Sequence, residues 1–215
     1  MLSTMHFLIG ELMWIGGSHS MRQWYRAIIA NLDQWHQSAV TSYSFMRYTR
    51  KMNVTQFQQL IWQKGKQLYR PMPWRERPTF YYVLVSEIML QQTQVATVIP
   101  YYQRFMAALP TVADLAQAPE ETLLNLWQGL GYYSRVRNMQ VAAKQVMADF
   151  GGQMPDQVDS LLSLKGIGPY TAAAIASMAF GRVAPALDGN LFRIVARLFR
   201  LKDDIALPRS RKVFM

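Results

Sequence analysis

The chain of 215 residues contains no cysteine, which excludes disulfides and any thiolate-bound zinc or iron–sulfur site within it. Histidine is nearly as scarce. His6, His19 and His36 all precede residue 37 and lack metal-ligand spacing, so they read as surface or incidental residues and no metal site is expected. No run of 18 or more apolar residues occurs, and a membrane-spanning helix is therefore not expected. The apolar stretch 5–17 is too short to span a bilayer, and no basic segment precedes it as in a signal peptide. Acidic residues are few, 13 against 23 Lys and Arg, for a net charge of +10. That balance suits a polyanionic partner or an anionic membrane surface, and charge alone does not choose between them.

What is present is mostly helical. Hydrophobic residues make up 51% of the chain, enough for one large domain or two small ones with a real core. Residues 1–51 lack a clean period and read as an extension of unknown role. From Met52 onward the class is all-α, without strand pairs or repeats. Thr55 and Gln58 fit a capping box, with Phe57, Leu60, Ile61 and Leu68 on one face. A proline-rich break at 71–78 precedes an apolar helix over about 81–91. The next runs over about 94–108, where Pro100 forces a kink or a fresh first turn. Further helices are predicted over 119–127, 133–150, about 156–164, 170–180 and 188–201. The first of these has proline and acids at its positive end. The second ends at Gly151-Gly152, and Asp156 caps the third.

Three features carry chemistry. Gly166 and Gly168 form a tight turn between two helical arms, where missing side chains allow close approach to main-chain amides at a helix N-terminus. That is a phosphate site or an ordinary helical corner. Asp188 opens a helix. It is either a simple N-cap or a carboxylate kept ionised by the amides it accepts from, with Asn190 to orient it or a substrate. Glu87 borders an apolar face with Val83 and Leu90, where loss of water favours its protonated form. It is either a helix-edge or ion-paired residue or a general acid. An acid and an anion in contrasting environments suit cleavage of an N-glycosidic bond, where the base is protonated and the sugar cation needs a negative partner. The tips Gln91-Gln-Thr-Gln and Gln128-Gly-Leu-Gly-Tyr-Tyr add Gln92, Leu130 and Tyr132, either core residues leaving a loop or wedges for an unstacked base. Trp127 and Tyr133 are read as core.

Five blocks now stand together: Pro73-Trp-Arg, Ser86-Glu-Ile-Met-Leu-Gln-Gln-Thr-Gln-Val, Trp127-Gln-Gly-Leu-Gly-Tyr-Tyr-Ser-Arg, Leu164-Lys-Gly-Ile-Gly-Pro-Tyr-Thr-Ala and Leu187-Asp-Gly-Asn. In order and spacing, residues 52–215 resemble the adenine DNA glycosylases (the MutY family) of the helix-hairpin-helix superfamily, relatives of endonuclease III. The resemblance implies a six-helix barrel over 79–182 with the helix-hairpin-helix at 157–180. It also implies a second helical domain, incomplete here, from 52–78 and 183–215. The implied activity is monofunctional removal of adenine paired with 8-oxoguanine or guanine in double-stranded DNA, by a cytoplasmic, nucleoid-associated bacterial monomer.

On that resemblance Glu87 protonates adenine and Asp188 stabilises the sugar cation, while Tyr170 and Asn190 line the site. Trp74, Arg75 and Leu90 hold the extruded base; Gln92, Thr93, Leu130 and Tyr132 probe the gap; Gly166, Ile167 and Gly168 grip the backbone. Tyr170 stands where strand-cutting relatives carry a Schiff-base lysine, a chemistry tyrosine cannot perform. The family also carries a [4Fe-4S] cluster on four cysteines and a C-terminal domain similar to Nudix hydrolases. This chain has neither, so it is expected to be a C-terminally truncated fragment. Two other readings stay open, a non-catalytic helix-hairpin-helix DNA-binding module and a glycosylase of the same superfamily acting on another base.

Overall fold

Ten helices follow one another through residues 54–76 and 78–199, the part described by a computed structural model, and among these residues there is no strand. They fall into two compact units. One comprises residues 71–186, and the other joins 54–70 to 187–199.

In the second unit, α1 (Val54–Gln67) ends in Lys64 and Lys66, cations placed at the negative end of its dipole. The expected capping pair, Thr55 and Gln58, lies outside the described side chains. The larger unit begins inside the proline-rich break, which is not featureless. It holds one helical turn, α2 (Pro73–Glu76), that buries Trp74 and Arg75; proline at a first helical position needs no amide partner, so the turn forms despite the composition.

Helix α3 (Phe80–Leu90) follows, with the Thr79 hydroxyl accepting from the Tyr82 amide at 3.4 Å. Helix α4 (Val95–Ala108) passes through Pro100 without a restart. Pro100 and Ala96, whose carbonyl loses its amide partner, are both exposed, so water can satisfy the freed acceptor. A further helix escapes the sequence reading, α5 (Val112–Gln117). Its signal is Thr111-x-x-Asp114, a reciprocal capping box in which the Asp114 carboxylate accepts from the Thr111 amide at 3.0 Å and the Thr111 hydroxyl from the Asp114 amide at 3.2 Å.

Helix α6 (Glu120–Trp127) has Pro119 at its N-cap and two acids in its first turn. Helix α7 (Ser134–Asp149) closes on Gly151 and Gly152, both at positive φ, with the Gly152 amide returning to the Val146 carbonyl at 3.0 Å. Helices α8 (Val158–Leu162) and α9 (Pro169–Phe180) are the two arms of the hairpin. Asp156 does not cap α8. Gln157 holds the N-cap position without a side-chain bond, because the Asp156 carboxylate is engaged by Arg182 beyond the far end of α9. The last helix, α10 (Gly189–Phe199), belongs to the smaller unit.

Helix α3 organises the larger unit. It is apolar on nearly every side, so it must be surrounded, and α2, α4, α7 and α9 all pack on it. Five consecutive small or apolar residues of α9, Ala172 to Ala176, are buried and let the two backbones approach. Helix α7 packs in turn on α5 and α6, and α8 on α9. Leu84, Met89, Phe105, Trp127, Met139 and Ile175 are fully buried, each contributing about 1.5–3 kcal/mol of apolar burial.

Candidate functional site

Glu87 lies in the middle of α3, only 9% exposed, within an unbroken buried run from Val83 to Met89. A carboxyl so placed is shielded from water by the apolar side chains that hold α3 in the core. Arg75 of α2 is buried as well. Trp74 sits edge-on to Tyr102 with ring centroids 5.2 Å apart, and Tyr82 meets the same ring at 6.4 Å. Burial pushes the Tyr102 hydroxyl well above its ordinary range, and it has no hydrogen-bond partner among the described residues. Leu90, the last residue of α3, is half-buried.

Two loops of the same unit present exposed tips in strained backbone. Gln92 has φ +58° and Tyr132 φ +48°, the positive-φ residues other than glycine among those described. Each costs about 1–3 kcal/mol and persists where its surroundings over-determine it. Tyr132 is 65% exposed, whereas Leu130 is 7% exposed and packs as a core residue leaving its loop. Thr93 is half-buried, with its amide on the Leu90 carbonyl at 3.2 Å. Gly129 (φ +99°) and Gly131 (φ +69°) supply the rest of the second loop's curvature, and a Cβ on Gly129 would collide with the Tyr101 hydroxyl.

Arg135, the residue of greatest consequence that carries no role in the sequence reading, lies beneath both loops. It is 9% exposed. One guanidinium nitrogen donates to the carbonyls of Ile88, Met89 and Gln91 at 3.1, 3.1 and 2.6 Å and reaches the Thr93 hydroxyl at 3.5 Å. The other donates to the carbonyls of Leu130 and Gly131 at 3.0 and 3.2 Å. Burial lowers its pKa from the ordinary value; the carbonyls, including those at the negative end of α3, replace the lost water.

The hairpin alternates closed and open amides. Lys165 donates to the Gln145 side chain at 2.8 Å and Ile167 to the Leu164 carbonyl at 3.2 Å. The amides of Gly166 and Gly168 have no protein acceptor among the described residues, and Gly168 is the N-cap of α9. Two donors thus stand open at the positive end of a helix, an arrangement suited to an anion. Gly166 has φ +78°, and a Cβ there would lie 2.8 Å from that of Asn138. Gly168 needs no special torsion, since its φ is −90°; what glycine provides there is open space. The Ile167 side chain is buried, so only its backbone belongs to the turn's outer surface. Tyr170 is half-buried in the first turn of α9.

In the smaller unit, Asp188 does cap α10. One carboxylate oxygen accepts from the Leu191 amide at 2.8 Å and the other from the Asn190 side chain at 3.1 Å. Arg193 donates in turn to the side-chain oxygen Oδ1 of Asn190, so a three-residue chain fixes the carboxylate. The Asn190–Arg193 spacing of three on a helix was its signal in the sequence.

Residues 85–213 match the family model described as HhH-GPD superfamily base excision DNA repair protein. The chain is 43% identical over 171 residues to the adenine DNA glycosylase of Homo sapiens, a match covering 75% of this chain and 31% of the human protein. It is 46% identical over 155 residues to that of Rattus norvegicus, covering 68% and 30%. It therefore spans about a third of the length of these curated relatives. Among solved structures, a non-covalent endonuclease III–DNA complex superposes with a TM-score of 0.56 at 27% identity, covering 64% of each chain. Iron–sulfur clusters are typical of such proteins. The 215 residues supply no cysteine, and no group of three or more His, Cys, Asp or Glu among the described residues is placed to hold a metal. The residues present do not fit the cluster.

Proposed function

Because the chain belongs to the HhH-GPD superfamily of base excision DNA repair proteins, we propose that it removes adenine from DNA by hydrolysing the N-glycosidic bond, with A:8-oxoguanine and A:G pairs as substrates. Glu87 is the general acid. Its proton passes to the departing adenine as the bond between C1′ and the base nitrogen breaks, the electron pair leaving with the base. The sugar becomes a cation, which Asp188 stabilises. Water then adds to C1′ and its proton returns to Glu87, so the acid is regenerated and the products are free adenine and an abasic site. Tyr170, at the hairpin position where strand-cutting relatives carry lysine, has no amine to form a Schiff base, and the reading is accordingly monofunctional. Arg75, Trp74 and Leu90 serve the extruded base, Gln92, Thr93 and Tyr132 the gap, and the hairpin amides the phosphate.

The observation that carries this reading is the burial of Glu87 in an otherwise apolar helix. A carboxyl buried in an apolar helix is a candidate acid/base group. The test is a duplex with one A:8-oxoguanine pair, with adenine release followed after alkali cleavage of the abasic product. Glu87→Gln keeps the shape and removes the transferable proton; release should fall by about 10²–10⁴-fold while duplex affinity is retained. Duplex binding by the unsubstituted chain without any release would make it a non-catalytic module. Release of another base would assign a different specificity within the superfamily.

A further inference from the structure

The two strained tips share one support. The carbonyl immediately before Gln92 is that of Gln91, and the carbonyl immediately before Tyr132 is that of Gly131; Arg135 donates to both, at 2.6 and 3.2 Å. These carbonyls belong to segments some forty residues apart in sequence, and the single planar fork that spans them fixes their separation as well as each turn. The same cation lies 5.4 Å from the Trp127 ring centroid and 5.6 Å from that of Tyr132. Trp127 itself donates to the Gly131 carbonyl at 3.0 Å. Among the described residues no carboxylate is a partner of the guanidinium. The two terminal nitrogens of the fork are spent chiefly on backbone carbonyls, while the buried Nε–H has no hydrogen-bond partner among the described residues.

The geometry points to Arg135 as a positioning residue that couples the Gln92 and Tyr132 tips into one rigid wedge, so that both enter the base stack of a duplex together rather than independently. This rests on the functional reading above. A protein that extrudes a base meets an unstacking cost of a few kcal/mol. A preassembled pair of tips offsets that cost without first ordering two separate loops. Lysine at this position would keep the charge and lose the fork.

Hydrogen exchange of the Thr93 and Leu130 amides, one hydrogen-bonded amide from each loop, tests the coupling without DNA. In Arg135→Lys both should exchange roughly tenfold faster, while the Ala172 amide of α9 is unchanged. Acceleration of one loop alone, or of neither, overturns the proposal. Should the lysine variant fail to fold, the unsubstituted chain in dilute denaturant serves: one shared opening for both amides supports coupling, and separate openings overturn it.

The second readout is 2-aminopurine fluorescence beside an A:8-oxoguanine pair. Arg135→Lys should reduce the unstacking signal about tenfold while changing duplex affinity by less than about twofold, since phosphate contacts dominate affinity. In a Gln92→Ala, Tyr132→Ala background the lysine substitution should have no further effect; an undiminished effect there would mean that Arg135 does not act through the tips. Coupled exchange with no fluorescence response to the unsubstituted chain sinks the duplex-wedge role and the functional reading with it. Uncoupled exchange sinks the role of Arg135 whichever base is released.

Discussion

A carboxylate that caps a helix and one that stabilises a cation face different demands, and at Asp188 the two can be separated. Asparagine caps a helix about as well as aspartate does, but it carries no charge. Asp188→Asn should therefore leave the thermal unfolding free energy within about 0.5 kcal/mol of the parent and lower adenine release by about 10²-fold or more. Unchanged release would reduce Asp188 to a cap, and a matching loss of stability would show that the Leu191 bond had been lost as well. Why Asp188 and Glu87 stand out in the sequence while Arg135 does not is a question of what each residue's role depends on. Glu87 is a lone acid in a nine-residue apolar stretch, and Asp188 precedes a helix whose first turn supplies its partners; both signals are local. The acceptors of Arg135 are main-chain carbonyls of residues 88, 89, 91, 130 and 131. Carbonyls leave no mark on composition or spacing, so this role becomes visible only when two distant loops are seen to share one cation.

At the level of elements, the helices whose ends are chemically marked were legible, as at Pro119 and Gly151. Helix α5 was overlooked although its capping box is marked in the same way, since six residues are too few for a helical period to declare itself. The cap expected for α8 fails for a different reason. Asp156 has the residue type of an N-cap and stands one residue before that position, and a long-range ion pair takes its carboxylate. Arg182 also donates its backbone amide to the Ala176 carbonyl at 2.9 Å, so this residue, two beyond the end of α9, is held by both backbone and side chain. The side chain closes the hairpin's open side against Asp156, two residues before α8. Hydrogen bonding to Arg182 holds the Asp156 carboxyl below its ordinary value of 3.8. A depressed folded-state pKa means that the clasp's contribution is present above pH 3.8 and is lost as pH falls through the lower, folded value. Melting temperatures of the parent and of Asp156→Asn should accordingly differ near neutrality and converge as the solution is acidified below that range. The pair is solvent-accessible, so the difference should be small and should shrink in high salt. Two curves that run parallel at every pH would mean that the clasp does not form in solution.

For the molecule as a whole, a net charge of +10 predicts attraction to any polyanion and says nothing about where contact is made. The hairpin allows a sharper statement. Lys165 is exposed, adjoins the open Gly166 amide, and has its own amide anchored to Gln145 at 2.8 Å, so its charge is presented from a fixed point of the turn. Arg137 is exposed too, but it is already paired with Glu120 at 2.7 Å. If the hairpin grips a phosphate, neutralising Lys165 should remove one counterion-releasing contact, and neutralising Arg137 should remove none. The slope of log affinity against log salt for a plain duplex should therefore become shallower by about 1 in Lys165→Gln, while Arg137→Gln should keep the parent slope. The measurement needs neither a damaged base nor turnover, so it separates backbone gripping from base chemistry. Equal slopes in all three proteins would move the phosphate contact away from the turn. The open amides of Gly166 and Gly168 would then be hydrated corners of an ordinary helical bend, and the basic charge would act only as a diffuse field.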